Sequence, residues 1–376
     1  MKRVITLFLF AMAVGLHAMN QINLPIKPIK LPQPVDSFTI FPVAIAAISS
    51  IIPLGNLNPT GHTFPTDHCY INLVSNTTPT SVWAPGNVKL FNISRSQRFK
   101  ENTTELIGQD YTLMLSVNAT YYIRFDHLSA LSPTINNLLS SAIENDCNTY
   151  NTGGVTYKQC RFAINLPITA GTEMGKVGGQ SSIAGLDFGA YTHGVPSPNG
   201  VVCPFTFFKQ TIFDSFKSKF GNGFKQRTTP PLCGTVLQDV VGTLKGRWLK
   251  QGQPYYPEDP HIAFVGDNID PSIPAISVGK SQPGLPPQVY TYKSSLAFVA
   301  VGSNINYPFT NVTNDGKTYC FNLMLSGQSM LGSLIVKMNS TITADIEYRP
   351  NCNCACNKPY TFTSNKVSYE KAPPIH

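Results

Sequence analysis

The chain predicts a mainly β fold. Three observations carry that prediction. Thirty prolines and 28 glycines stand against a charged fraction of only 13%. Turn formers are therefore abundant, while the charged residues that favour helices are scarce. Short β-branched and aromatic runs, such as Tyr121-Tyr122-Ile123-Arg124-Phe125, recur between turn residues. Asn314-Asp315-Gly316-Lys317 ahead of Thr318-Tyr319-Cys320-Phe321 is a strong hairpin signal.

From the N-terminus, Met1-Lys2-Arg3 is basic and Val4 to Leu16 is apolar, ending in His17-Ala18. This predicts a signal peptide over 1–18, too short to span a bilayer as an anchor. Roughly 358 residues then remain, enough for two domains or one elaborated one. Residues 19–57 read as an extended arm, Pro-rich at Leu24-Pro25-Ile26-Lys27-Pro28. The apolar stretch from Phe38 to Leu54 holds Pro42 and Pro53, so it is expected as a buried or membrane-adjacent segment and not a transmembrane anchor.

Residues 58–195 read as a β domain of short strands. They include Tyr70-Ile71-Asn72-Leu73-Val74 and Tyr111-Thr112-Leu113-Met114-Leu115-Ser116-Val117, with one helix over 131–145 starting near Ser132-Pro133. Residues 196–284 are expected to be an irregular, partly helical insertion. Phe205, Phe208, Ile212, Phe213, Phe216 and Phe220 recur at helical spacing and predict a core-facing amphipathic helix over 205–220. Prolines 230, 231, 254 and 257 make 222–280 look irregular, apart from a strand at Ile262-Ala263-Phe264-Val265. A small all-β module follows at 285–350, pairing Ser333–Met338 with Ile342–Tyr348, and a Cys-rich disordered tail at 351–376.

Nine cysteines follow the leader, which points to disulfides in a secreted, periplasmic or cell-surface protein. Cys147 and Cys160 flank a Gly-containing loop. Cys203 and Cys233 could pair around the 205–220 segment. Cys352, Cys354 and Cys356 read as an oxidised loop cluster more than a soft-metal site. The odd count leaves Cys69 or Cys320 as a buried free thiol. Sequons begin at Asn76, Asn92, Asn102, Asn118, Asn311 and Asn339. The formal charge of +8 is dispersed. Lys209, Lys217, Lys219, Lys225 and Arg227 resemble a solvated helix face, which argues against nucleic acid.

Gly61-His62-Thr63-Phe64-Pro65-Thr66-Asp67-His68-Cys69-Tyr70 concentrates imidazole and carboxylate at the density a transition-metal site needs. Three further pieces follow in order. They are Val82-Trp83-Ala84-Pro85-Gly86-Asn87-Val88, then Phe125-Asp126-His127-Leu128-Ser129, then Gly171-Thr172-Glu173-Met174-Gly175-Lys176-Val177-Gly178-Gly179 leading to Gly185-Leu186-Asp187-Phe188-Gly189. Together they resemble the lysostaphin-like (LytM-type) zinc metallopeptidases, over roughly a third of the chain.

The resemblance implies a duplicated-hybrid-motif β-sandwich or barrel-like domain. It implies zinc held by His62 and Asp67, with His127 assisting catalysis. Five positions separate His62 from Asp67 where the family has four, which admits His68 as a substitute ligand. The closing H-x-H strand of the family falls on Gly185 and Asp187. Glycine cannot move protons, while Asp187 can still offer an oxygen ligand. One lost proton-transfer group costs about 10²–10⁴-fold in rate. The resemblance therefore implies a degenerate site.

Three functions stay open: a non-catalytic binder of a wall glycan, peptide or exported partner; an active zinc-dependent endopeptidase; or a disulfide-stabilised surface protein. Blander roles also stand for each residue. His62 could close a loop, His68 could be a satisfied core histidine, His127 could bond a neighbouring strand, and Asp187 could sit at a strand end. His193 and His261 carry no supporting context. No G-x-S-x-G elbow is present. Glu258-Asp259 and Asp267…Asp270 lie in Pro-rich turns, a weak setting for a glycosidase pair.

Overall fold

In the computed structural model the described residues are 38–141, 145–152, 155–180, 185–292, 304–325, 330–356 and 358–373. The expected signal peptide and the Pro-rich part of the arm lie outside them. The fold is mainly β, as predicted, with two bodies of antiparallel strands.

The first body is an eleven-stranded sheet. Its strands are β1 (Ile48–Ile52), β2 (Cys69–Leu73), β3 (Thr80–Trp83), β4 (Val88–Lys100), β5 (Leu106–Ser116) and β6 (Tyr121–Leu131), then, after helix α1 (Pro133–Ser141), β7 (Asn145–Thr152), β8 (Val155–Ile168), β9 (Glu173–Val177), β10 (Gly185–Thr192) and β11 (Val201–Val202). The order β1-β2-β10-β6-β5-β4-β8-β7 sets three strands of distant sequence side by side: β2, β10 and β6. Alternation decides which face each residue takes. Cys69 and Ile71, Ile123 and Phe125, and Leu186 and Phe188 all point into one core. His68, Asp187 and Arg124 therefore lie on the other face.

The arm differs from expectation beyond residue 37. Phe38, Phe41, Ile48, Ile51 and Leu54 are buried in the core, and β1 pairs with β2. The helix expected over 205–220 is broken. A 3-10 turn (Pro204–Phe207), α2 (Gln210–Phe216) and a second turn (Lys217–Lys219) replace it. Phe38 bridges to Phe208, and backbone bonds Phe38 N to Phe207 O and Lys209 N to Phe38 O hold the chain extended there. Tertiary pairing thus overrides local periodicity. The phenylalanines are core, as the spacing implied; Phe205, Phe208, Phe216 and Phe220 pack together. Each contributes about 1.5–3 kcal/mol of burial.

The second body is a closed eight-stranded barrel in chain order. It comprises β12 (Gly246–Lys250), β13 (Ile262–Gly266), β14 (Pro274–Val278), β15 (Gln288–Thr291), β16 (Tyr319–Met324), β17 (Met330–Met338), β18 (Thr343–Pro350) and β19 (Val367–Lys371). It is larger than the module expected at 285–350. β12 and β14 come from the stretch read as irregular, β13 is the strand expected at Ile262–Val265, and β19 comes from the tail read as disordered. Those strands are only five residues long and Pro-punctuated, and β19 closes on β12 from the far end of the chain. Closure removes the sheet edges. Trp248, Phe264, Tyr290, Phe321 and Tyr369 fill the interior.

Disulfides join Cys147–Cys160, Cys203–Cys233, Cys320–Cys354 and Cys352–Cys356, leaving Cys69 as a buried thiol. Among the described residues, no helix is long and apolar enough to cross a membrane. The two bodies meet at Phe64. It packs on Leu249, Ala263 and Val265 of the barrel wall and stacks on His261 at 5.3 Å. Asn268 also donates to the Pro53 carbonyl at 3.1 Å. This contact lays the 57–66 loop, with His62, against the barrel.

Candidate functional site

On the outer face of the first sheet, charges alternate across adjacent strands. Asp67 precedes β2, where the chain has not yet entered the strand, so its side chain turns beside His68 instead of opposing it. Asp67 Oδ1 lies 2.9 Å from His68 Nδ1. Across on β10, Asp187 Oδ2 lies 3.2 Å from His68 Nε2 and 3.3 Å from His127 Nε2 on β6. His127 Nδ1 in turn meets Asp110 Oδ2 of β5 at 3.2 Å, and Asp110 accepts from Arg98 of β4. Arg124 of β6 pairs with Asp126 at 2.6 Å and Asp67 at 3.4 Å. The result is an ion row running Asp67, His68, Asp187, His127, Asp110, Arg98.

A bulge puts His127 in that row. Phe125 and Leu128 both point to the core, so two residues, Asp126 and His127, occupy a place that alternation gives to one. The register confirms it: Leu113 opposes Phe125 while Tyr111 opposes Leu128. His127 takes φ 67°, a conformation few non-glycine residues adopt. The backbone there is held strained in order to aim the imidazole at Asp187.

The electrostatics follow from burial and pairing. Burial alone would lower His68, but Asp187 and Asp67 carry it up to about 9. His127 is likewise opposed by burial and raised to about 11 by Asp110 and Asp187. Burial would raise Asp187, yet the two imidazoliums hold it well below the usual carboxylate range. Asp67 is also opposed by burial and held low by Arg124 and His68. His62 behaves oppositely: burial, then the charge on His68, pushes it down to about 4, so its ring is neutral. Burial raises Glu258 to about 7, against the pull of the Phe64 amide. It also raises the Cys69 thiol far above its ordinary value.

The structure brings His62, Asp67, His68, Asp187 and His127 into one neighbourhood, but not as a zinc site. Asp67 and Asp187 approach opposite nitrogens of the His68 ring. They stand further apart than the ~4 Å that two ligands of one zinc ion can span. Among the described residues, no three His, Cys, Asp or Glu side chains are grouped to hold a metal. The expected set of His62, Asp67 and Asp187, with or without His68, therefore does not fit zinc. His127, expected to assist catalysis, is a fixed cation far from the pKa a general base needs near neutral pH. At Gly185, an added Cβ would collide with the Ile71 carbonyl oxygen. The closing strand has no room for a histidine there.

A cavity of about 220 Å³ opens beside Asp67, lined by His62, Arg124, Ser197, Tyr255, Tyr256 and Glu258 among others. Asn58 and His62 exchange backbone hydrogen bonds at 2.8 and 2.9 Å, closing the loop that presents the His62 ring. Ser197 donates to Asp67 Oδ2 at 2.7 Å, and Tyr191 to Oδ1 at 3.2 Å. The Glu258 carboxylate accepts the Phe64 N–H at 2.8 Å across the two bodies.

The sequence did not single out Asp110, Arg124 or Ser197, and it offered Glu258 only as half of a weak carboxylate pair with Asp259. The two-residue gap between Phe125 and Leu128 was a readable sign of the bulge; nothing local pointed to the others. His261 is structural, as expected: its Nδ1 accepts from Lys250 N and its Nε2 donates to the Pro254 carbonyl. Comparisons with family models, with curated proteins and with solved structures return no match.

Proposed function

We propose that this chain is an exported binding protein. In this reading its first body is a lysostaphin-like domain by its sequence motifs alone, with the hydrolytic set replaced by a fixed ion row, and its ligand sits in the cavity beside Asp67. The observation that carries this reading is Asp187, which stands between two imidazoliums where a zinc ligand is expected. Four disulfides are the chemistry of an oxidising compartment and support export. The saturated charges of the row leave rigid walls, which suits binding more than turnover.

A zinc hydrolase is the second reading. One observation favours it: His68 Nε2 is buried without a hydrogen-bond partner despite its closeness to Asp187. Elemental analysis of protein purified with excess zinc separates the two. The binding reading expects no stoichiometric metal and no cleavage of wall peptides. One zinc per chain, lost in Asp187→Ala together with peptidase activity, would overturn it.

A further inference from the structure

The charged groups that line the cavity are already bonded, Glu258 by the Phe64 N–H at 2.8 Å. Asp67 is bonded by His68, Ser197 and Tyr191, and Arg124 is paired to Asp67 and Asp126. A charged ligand would have to break one of these pairs, leaving a buried charge uncompensated. What the cavity offers freely is neutral. The ring of His62 lines the cavity and makes no hydrogen bond among the described residues, so an open imidazole faces the ligand space. One of its nitrogens donates and the other accepts.

At the rim stands Tyr256, its residue 63% exposed, braced edge-on by Tyr255 at a centroid distance of 4.8 Å. An open aromatic face beside a neutral donor–acceptor suits a molecule with one C–H face and a ring of hydroxyls. The volume of about 220 Å³ falls below the ~300 Å³ lower bound usual for drug-sized ligands. It takes one ring, with the rest of a chain left outside.

We propose that the cavity binds a neutral sugar ring of an extracellular glycan, stacked on Tyr256 and hydrogen-bonded by His62. This rests on the binding reading above and names its ligand class. The full-length mature chain is screened on an array of neutral and acidic oligosaccharides. Hits, and the dipeptide D-alanyl-D-alanine, are then titrated calorimetrically at pH 6. Tyr256→Ala and His62→Ala are measured beside the wild type, with far-UV circular dichroism to verify folding.

The expected result is one-to-one binding of a neutral oligosaccharide, weakened at least tenfold by each folded variant. The inference is overturned if neither variant weakens that binding, if only acidic glycans bind, or if no glycan binds. Binding of the dipeptide alone overturns the sugar but leaves the binding reading standing. Stoichiometric zinc with peptide cleavage removes the binding reading itself.

Discussion

Replacing Asp187 by asparagine tests the ion row at its centre. The substitution keeps the shape of the side chain and removes the one negative charge between two imidazoliums. At 3.2 and 3.3 Å, each contact carries about 5 kcal/mol of raw attraction at an effective dielectric near 20. Desolvation offsets most of that, and removing one partner of a buried pair costs about 3–5 kcal/mol in total. The His127 side chain is 45% exposed, so its arm is screened and discounted. His68 can also relax by releasing its proton. The expected loss at pH 6 is therefore about 2–4 kcal/mol.

The pH dependence follows from the directions of the shifts. His68 and His127 are raised, so their contribution is complete below about pH 6.5 and is lost as pH climbs through about 9 and about 11. Asp187 and Asp67 are depressed, so theirs is complete above about pH 4 and is lost as pH falls. The row is at full strength between those limits. Asp187→Asn should flatten both limbs, and its deficit should narrow above pH 9. Urea unfolding at pH 4, 6 and 9, with the histidine rings titrated by NMR, measures this. A variant within ~0.5 kcal/mol of wild type at pH 6, or His68 still titrating near 9, would refute the row as a source of stability.

Other perturbations probe other parts of the molecule. Glu258 is raised to about 7, so its burial favours folding below about pH 4.5 and that contribution fades as pH rises through 7. Glu258→Gln should remove this slope and gain up to about 3 kcal/mol relative to wild type between pH 5 and pH 8; an unchanged slope in denaturation midpoints would contradict it. Gly185→Ala drives a methyl into the backbone of Ile71 and should cost about 1–3 kcal/mol or more, read as a lowered midpoint. Cys69 is fully buried with its thiol pushed up. The native protein should resist a thiol reagent, and denaturation should release one reactive thiol per chain; rapid native labelling would count against that burial.

Particular residues mark how far the sequence could be read. The β class was legible in composition and in runs such as that beginning at Tyr121. The Cys147–Cys160 bridge was legible because it closes a short loop, and Cys203–Cys233 because the pair flanks the Phe-rich 205–220 segment. The barrel was only partly visible. Ile262–Gly266 looks like a strand, but nothing near Val367–Lys371 announces that it pairs with Gly246–Lys250. Of the site, His62, Asp67, His68, His127 and Asp187 were picked out as candidates, and the fold gathers them. Asp110 and Arg124 were not, because an acidic or basic residue in a half-polar strand looks the same whether it is solvated or paired.

The sequence by itself determined the secondary-structure class, the core-facing phenylalanines and which residues carry titratable chemistry. Tertiary structure decided what that chemistry is. The upward shifts of His68 and His127 depend on carboxylates brought from β10 and β5 beside a buried ring in one case and a half-exposed ring in the other. Pairing of distant strands creates that proximity, and burial creates the low dielectric that makes it count. Neither quantity exists along the chain, so a string that reads as a set of metal ligands folds into a row of ion pairs.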